Sequence, residues 1–300
     1  MSTLLQKKGG HFSTKKLVMC RSFQHLYRQS LDGDGLLYAW FPSMHTRVDI
    51  VLSCRYSEDK LLLVIAAIQD ILLRLEKTAN YYNEDSELVQ INKTAFLHPM
   101  RLSPSLYEMI SLCLEYHKET LGCFDVTVHS EYYTRNTIQS VQLSAEGQTV
   151  FFQKKGTTIN LSGFLKGYAL ERIREILESY AIKDALINMG NSSVLALGNH
   201  PNGKGWKIDF GKRAHTGEDS EDNALILFDE CLTTSGNDSA ERKHLISPHS
   251  NKWVEGCKQL AVVTTDGIIG EILSTSLFVA DEEQRALLID RFRLKTIVEL

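Results

Sequence analysis

The chain has 300 residues, of which 43% are hydrophobic and 23% charged, with 33 basic against 37 acidic side chains and a net charge of −4. That balance, with a mean hydropathy of −0.17, describes a globular chain able to bury a large core and excludes a disordered or fibrous one. It also gives no electrostatic footprint for duplex nucleic acid.

The stretch before Asp32 holds six basic residues (Lys7, Lys8, Lys15, Lys16, Arg21, Arg28) and no acidic one. It reads as a disordered basic leader over 1–35, ahead of a single domain over 36–300. Its one apolar run, Leu17-Val18-Met19, is too short for a secretory signal, and Met19 stands where a lipidated cysteine at Cys20 would need a small residue. The expectation is a cytoplasmic protein.

Runs 36–41 and 47–54 are apolar and β-prone, and are expected to pair across a Pro-Ser turn. Residues 60–78 form a helix apolar on almost every face at its start, so it belongs at the centre of the domain. Gln69, Asp70 and Arg74 interrupt it, and no stretch reaches the roughly 18–20 apolar residues of a membrane span. Ser103-Pro104 starts a helix, with serine as cap and proline at the first helical position. Leu106, Met109, Ile110, Cys113 and Leu114 form its apolar stripe, and Gly122 ends it. Segments 141–143 and 149–153 read as a hairpin, 158–161 as a short strand, 165–180 as a helix and 185–189 as the strand after it. Strands at 194–197, 206–210, 224–228 and 259–264 follow, then helices at 268–279 and 282–291 and a last strand at 296–300. Helices and strands mix without βαβ alternation, which predicts an α+β fold. The six cysteines (Cys20, Cys54, Cys113, Cys123, Cys231, Cys257) include no CxxC pair, which suggests free thiols and neither a zinc site nor a disulfide framework.

Two motifs come close to known loops. Residues 198–205 (Gly-Asn-His-Pro-Asn-Gly-Lys-Gly) almost spell a phosphate-binding loop, but glycine replaces the hydroxyl residue after the lysine and a strand-like run follows. Asp32-Gly-Asp34-Gly opens like a calcium loop, yet Ser43 falls where a glutamate is needed. More chemistry lies further on. Ser162-Gly163-Phe-Leu-Lys166-Gly167 places glycines and a lysine at a helix entrance, where backbone N–H groups and an ammonium attract a phosphate. Segments 188–193, 233–236 and 244–248 are small and polar, so backbone can approach a ligand there; each alone also reads as a plain turn. Glu271 and Thr275, four apart on one helical face, can share a hard cation such as magnesium, or can simply belong to a solvated helix start.

In this order the segments resemble the ApbE family, the FAD:protein FMN transferases. Met44-His45-Thr46 is similar to the family's Met-Gly-Thr. Asn80-Tyr-Tyr82 with Asp85-Ser86-Glu87-Leu88 is similar to Ser-x-Tyr…Asp-Ser-Glu-Leu, and Gly122-Cys123-Phe124-Asp125-Val-Thr127 to Gly-Ala-Phe-Asp-Pro-Thr. Asn160-Leu-Ser-Gly163-Phe-Leu-Lys166-Gly167-Tyr-Ala is similar to the family's Asp-Leu-Gly-Gly-Ile-Ala-Lys-Gly-Tyr-Ala. The resemblance implies one ApbE-like, T-fold-like domain of mixed, mainly antiparallel sheet with packed helices. It implies FAD as substrate, Mg²⁺, and transfer of FMN to a Thr or Ser hydroxyl of a target protein with release of AMP. By resemblance Met44, Tyr82, Cys123, Phe124, Asp125, Asn160, Lys166 and Ile246 hold the flavin nucleotide. The metal sits between the Gly163 carbonyl, Glu271 and Thr275, with Ser274 beside them. His244 is the candidate base or phosphate partner, with a structural histidine as the alternative. Asn160, Glu271 and Ser247 each stand where the family keeps Asp, and Asn191 where it keeps Gly. Those departures leave open a diverged FAD-binding protein without transfer, or an FAD pyrophosphatase acting on water.

Overall fold

A computed structural model describes residues 23–29, 35–54, 56–209, 224–237, 245–256 and 258–300. Most of the basic leader, residues 1–22, and the candidate base His244 lie outside them. Part of the region grouped with the leader is a strand: β1 (Gln24–Gln29) pairs antiparallel with β2 (Gly35–Ser43). β2 pairs in turn with β3 (Thr46–Cys54), and the two bury Leu37, Ala39, Phe41, Val48, Ile50 and Leu52 on one face, the period-two pattern of a strand lying on a core. Pro42 and Ser43 remain inside β2, so the turn falls at Met44-His45 and not at Pro-Ser.

α1 (Glu58–Ala79) lays Leu61, Ile65, Ile68 and Leu72 on that face. α2 (Glu87–Thr94) starts where the Ser86 hydroxyl accepts the Val89 N–H, a cap the sequence reading passed over. β4 (Met100–Arg101) is followed by α3 (Pro104–Glu119), capped by Ser103 as expected. β5 (Val141–Ser144) and β6 (Thr149–Phe152) join β4 in a three-stranded sheet. Residues 158–161 form no strand. The Asn92 side chain takes both polar groups of Ile159, accepting its N–H at 2.8 Å and donating to its carbonyl at 2.9 Å, while Asn160 N–H goes to the Val126 carbonyl.

The second half begins with α4 (Leu165–Ser179), β7 (Asp184–Met189), β8 (Ser193–Leu197) and β9 (Trp206–Asp209). β10 (Ala224–Leu227), β11 (Glu230–Gly236), β12 (Ile246–Ser247), β13 (Lys252–Trp253) and β14 (Gln259–Thr264) follow. α5 (Gly267–Val279), α6 (Glu282–Phe292) and β15 (Thr296–Glu299) complete it. The large sheet has eight strands in the order β1-β2-β3-β7-β8-β11-β14-β15, and every neighbouring pair is antiparallel. α1, α4 and α5 lie side by side on it. The β9–β10 hairpin packs Trp206 and Leu227 against Val194, Ala196 and Leu232. The 198–205 run is the turn from β8 into β9, with no helix after it.

Cys113, Cys123 and Cys231 are free thiols. Among the described residues no helix is long and apolar enough to cross a membrane.

Candidate functional site

Antiparallel register gathers several turns at one end of the large sheet. Val48 pairs with Met189, Asn188 with Val194, Thr233 with Ser193 and Gly236 with Gln259. The β2–β3 and β7–β8 turns, the end of β11 and the start of β14 therefore share that end, and α4 and α5 reach it as well. A cleft of about 960 Å³ opens there, lined among others by Gly163, Lys166, Ser192, Ser235, Glu271 and Thr275.

Two glycines set how closely the walls approach. A Cβ on Gly167 would stand 2.2 Å from the Gly267 carbonyl oxygen and 2.7 Å from Glu271 Cγ, and one on Gly270 would stand 2.7 Å from Thr233 Oγ1. Without side chains at these positions α4, α5 and β11 close around Glu271, leaving it 4% exposed. Its carboxylate accepts a hydrogen bond from the Ser193 hydroxyl. Burial pushes this carboxyl above the usual range, opposed by the Lys166 charge and the Ser193 hydrogen bond. Lys166 Nζ itself donates to Ser192 Oγ.

Beside Glu271 lies a group of hydroxyls. Ser235 Oγ is 2.8 Å from Ser274 Oγ and 3.1 Å from Thr275 Oγ1, and Ser274 donates to the Glu271 carbonyl at 3.2 Å. A Cβ on Gly163 would lie 3.9 Å from Thr275 Oγ1, which places the two residues together across the cleft. Ser274 is wholly buried behind this wall. The described residues hold no cluster of three His, Cys, Asp or Glu side chains fit for a metal. The donors present are one buried carboxylate, hydroxyls and peptide carbonyls. All are hard oxygens, the set magnesium prefers, and a divalent cation would offset the charge that burial penalises. The residues fit the ion.

The other expected site residues divide. Tyr82 lines the cleft, 68% exposed. Met44 is half-buried, its N–H donated to Glu76, while its neighbour His45 lines the cleft. Ile246 sits in β12 next to Leu245, a lining residue. Asn160 accepts the Ser162 N–H at 2.9 Å and so shapes the entry to α4 without lining the cleft.

Cys123, Phe124 and Asp125 lie elsewhere. Asp125 lines a second cavity of about 560 Å³ with His117, Tyr133 and Arg135. It accepts from Thr127 N–H at 2.7 Å, Thr127 Oγ1 at 2.6 Å and the Tyr133 hydroxyl at 3.0 Å. Burial and this carboxylate push the Tyr133 phenol well up. Cys123 Sγ is 3.4 Å from His249 Nε2, and Arg135 meets the other nitrogen of that ring. Burial raises the Cys123 thiol to about 11, so it stays protonated at neutral pH. Iodoacetamide at about pH 8, below that pKa, is expected to leave Cys123 unlabelled in the folded protein, as read by peptide mass mapping. Rapid labelling would show that the loop after α3 opens.

Sequence reasoning missed two contributors. His45 entered only as a counterpart to a glycine, and its place in a two-residue turn between alternating strands was the available signal. Ser193 entered only as part of a polar segment, and nothing local marks it as the partner of Glu271.

A family model described as the ApbE family matches residues 44–298. The FAD:protein FMN transferase of Klebsiella pneumoniae (strain 342) is 23% identical over 252 residues, 74% of this chain and 77% of that protein. The protein of the same name from Haemophilus influenzae is 22% identical over 251 residues, 72% of each. Among solved structures, the Pseudomonas stutzeri flavinyl transferase ApbE in its apo form superposes with a TM-score of 0.74 at 17% identity, over 91% of this chain and 97% of that one. The Vibrio cholerae flavin transferase ApbE gives 0.71 at 17% identity, over 92% and 93%. The fold is the one these structures share. The match runs from the Met44 turn through Lys166 and Glu271 into the last strand, over most of the chain, and the chain belongs to the ApbE family.

Proposed function

We propose that the protein is a magnesium-dependent FAD:protein FMN transferase, which takes FAD into the cleft and moves its FMN part to a Thr or Ser hydroxyl of a target protein. The observation that carries this reading is the meeting of Lys166, Glu271, Thr275 and Gly163 on one cleft at one end of the sheet. Relatives over most of the chain bear the same name.

In the transfer, the acceptor hydroxyl oxygen bonds to the FMN-side phosphorus and the bond from that phosphorus to the bridging oxygen breaks. AMP leaves with the bridging oxygen, and the hydroxyl proton passes to a base. Magnesium, when bound, would supply charge neutralisation at the diphosphate oxygens. Glu271 and Thr275 would hold the ion with the Gly163 carbonyl. Ser193 orients the carboxylate, and Ser235 orients the Thr275 hydroxyl. Lys166, steadied by Ser192, and the first N–H groups of α4 add positive potential beside the diphosphate. His244 is the candidate base on its place in the sequence alone.

The test is incubation with FAD, Mg²⁺ and a candidate acceptor domain, reading AMP by chromatography and the acceptor by intact mass. AMP together with an FMN mass gain is expected. AMP without a modified acceptor would make the protein a pyrophosphatase, and tight FAD binding without AMP would make it a binder only.

A further inference from the structure

The β2–β3 connection is a two-residue turn whose central residues, Met44 and His45, both adopt left-handed φ angles, 50° and 58°. Turns of this kind usually carry Asn-Gly, because a side chain at positive φ is strained where glycine is not. Here the surroundings hold the strained form. Glu76 of α1 accepts the Met44 N–H, and Gly190 N–H donates to the Arg47 carbonyl at 3.0 Å. Asn80, at the end of α1, bonds His45 Nε2 through its amide nitrogen at 3.3 Å and accepts the Tyr82 N–H through Oδ1 at 2.9 Å. One side chain thus sets both His45 and Tyr82.

Both residues line the cleft. Their rings stand at 90° with centroids 5.9 Å apart. Two rings at right angles make a corner: a flat group laid on the face of one meets the edge of the other, the two geometries that aromatic quadrupoles favour. With Nε2 accepting from Asn80, the neutral imidazole carries its proton on Nδ1, an assignment made from that hydrogen bond. The ring then has one donor left for a ligand nitrogen or carbonyl. Strain held in place at the rim of a cleft, on a residue whose ring faces a substrate-sized space, is the pattern of a position kept for use.

We infer that His45 is a substrate-binding residue whose imidazole, with the Tyr82 ring, seats a planar heteroaromatic ring of the dinucleotide. The inference rests on the FAD reading above. FAD has two such groups, the isoalloxazine and the adenine. FMN and AMP, used as separate probes, tell which one takes the seat.

Binding of FAD, FMN and AMP is to be measured by titration calorimetry for the wild type and for His45→Gly, His45→Ala and His45→Phe, with thermal melts of each. His45→Gly is expected to weaken FAD by about five- to tenfold, the scale of one ring contact, without lowering Tm, because the strain is released. His45→Ala is expected to weaken FAD similarly, and His45→Phe to keep it near wild type. The mononucleotide whose affinity falls in parallel identifies the seated ring. If the wild type binds FAD and His45→Gly binds all three probes equally well, His45 has no such role. If the wild type binds no flavin nucleotide, the transferase reading falls and this one with it.

Discussion

Glu271→Gln is expected to slow FMN transfer by about a thousandfold, roughly 4 kcal/mol of transition-state stabilisation, while the protein stays folded. Glutamine keeps the size of the side chain and an oxygen for the Ser193 hydroxyl, so packing between α4, α5 and β11 survives. What it loses is the negative charge of a carboxylate that lines the cleft together with Thr275 and Gly163. AMP release across a magnesium titration measures the effect. A loss smaller than about tenfold would mean that the carboxylate does not hold the ion.

A second readout separates metal binding from turnover. Magnesium is expected to raise the Tm of the wild type and leave that of Glu271→Gln unmoved, since a ligand stabilises only the state that binds it. The pH dependence without metal has a definite sign. Burial raises the Glu271 pKa above its unfolded value. Its contribution to stability is therefore complete below the unfolded pKa and is lost as pH rises through the folded one. In chelator, Glu271→Gln should match or exceed the wild type at alkaline pH, and the difference should close on acidification.

Gly167→Ala is expected to cost about 3 kcal/mol of stability, at the upper end for one methyl forced into a packed contact. The added carbon meets a backbone carbonyl at 2.2 Å as well as the Glu271 side chain, so α4 or α5 has to move. A flexible side chain could swing aside, but the Gly267 carbonyl belongs to the first turn of a helix. Urea denaturation reads the stability. Magnesium-dependent AMP release reads the displacement of Glu271, and a variant with an unchanged midpoint would show that the two helices part freely.

Much of this arrangement was legible in the sequence, and the exceptions have physical causes. α1, α3, α4, α5 and α6 were all expected, α1, α3 and α4 from apolar spacing and α3 also from its Ser-Pro start, which are local signals, while the Asp266 and Asp281 caps of α5 and α6 came to light only in the structure. β11 did not, because Thr233-Thr234-Ser235-Gly236 is polar yet lies in the interior of the sheet, where α5 and the strands on either side decide its state. The supposed strand at 158–161 failed for the opposite reason: its composition suits a strand, but the Asn92 side chain takes both backbone groups of Ile159, and the N–H groups of Thr158 and Asn160 go to Ser130 and Val126. At the site, the segments around Lys166 and Glu271 were visible as motifs. Their meeting was not, since it depends on the register of strands far apart in the sequence and on two glycines that act only in three dimensions.

The order in which the cleft's parts leave the ribosome has its own consequence. The turn at His45, the tyrosine at 82 and the lysine at 166 are made early, whereas the carboxylate and the threonine hydroxyl arrive on α5, after fourteen of the fifteen described strands and a single strand short of the other sheet edge. A nascent chain can thus bury much of its core before Glu271 and Thr275 reach the cleft.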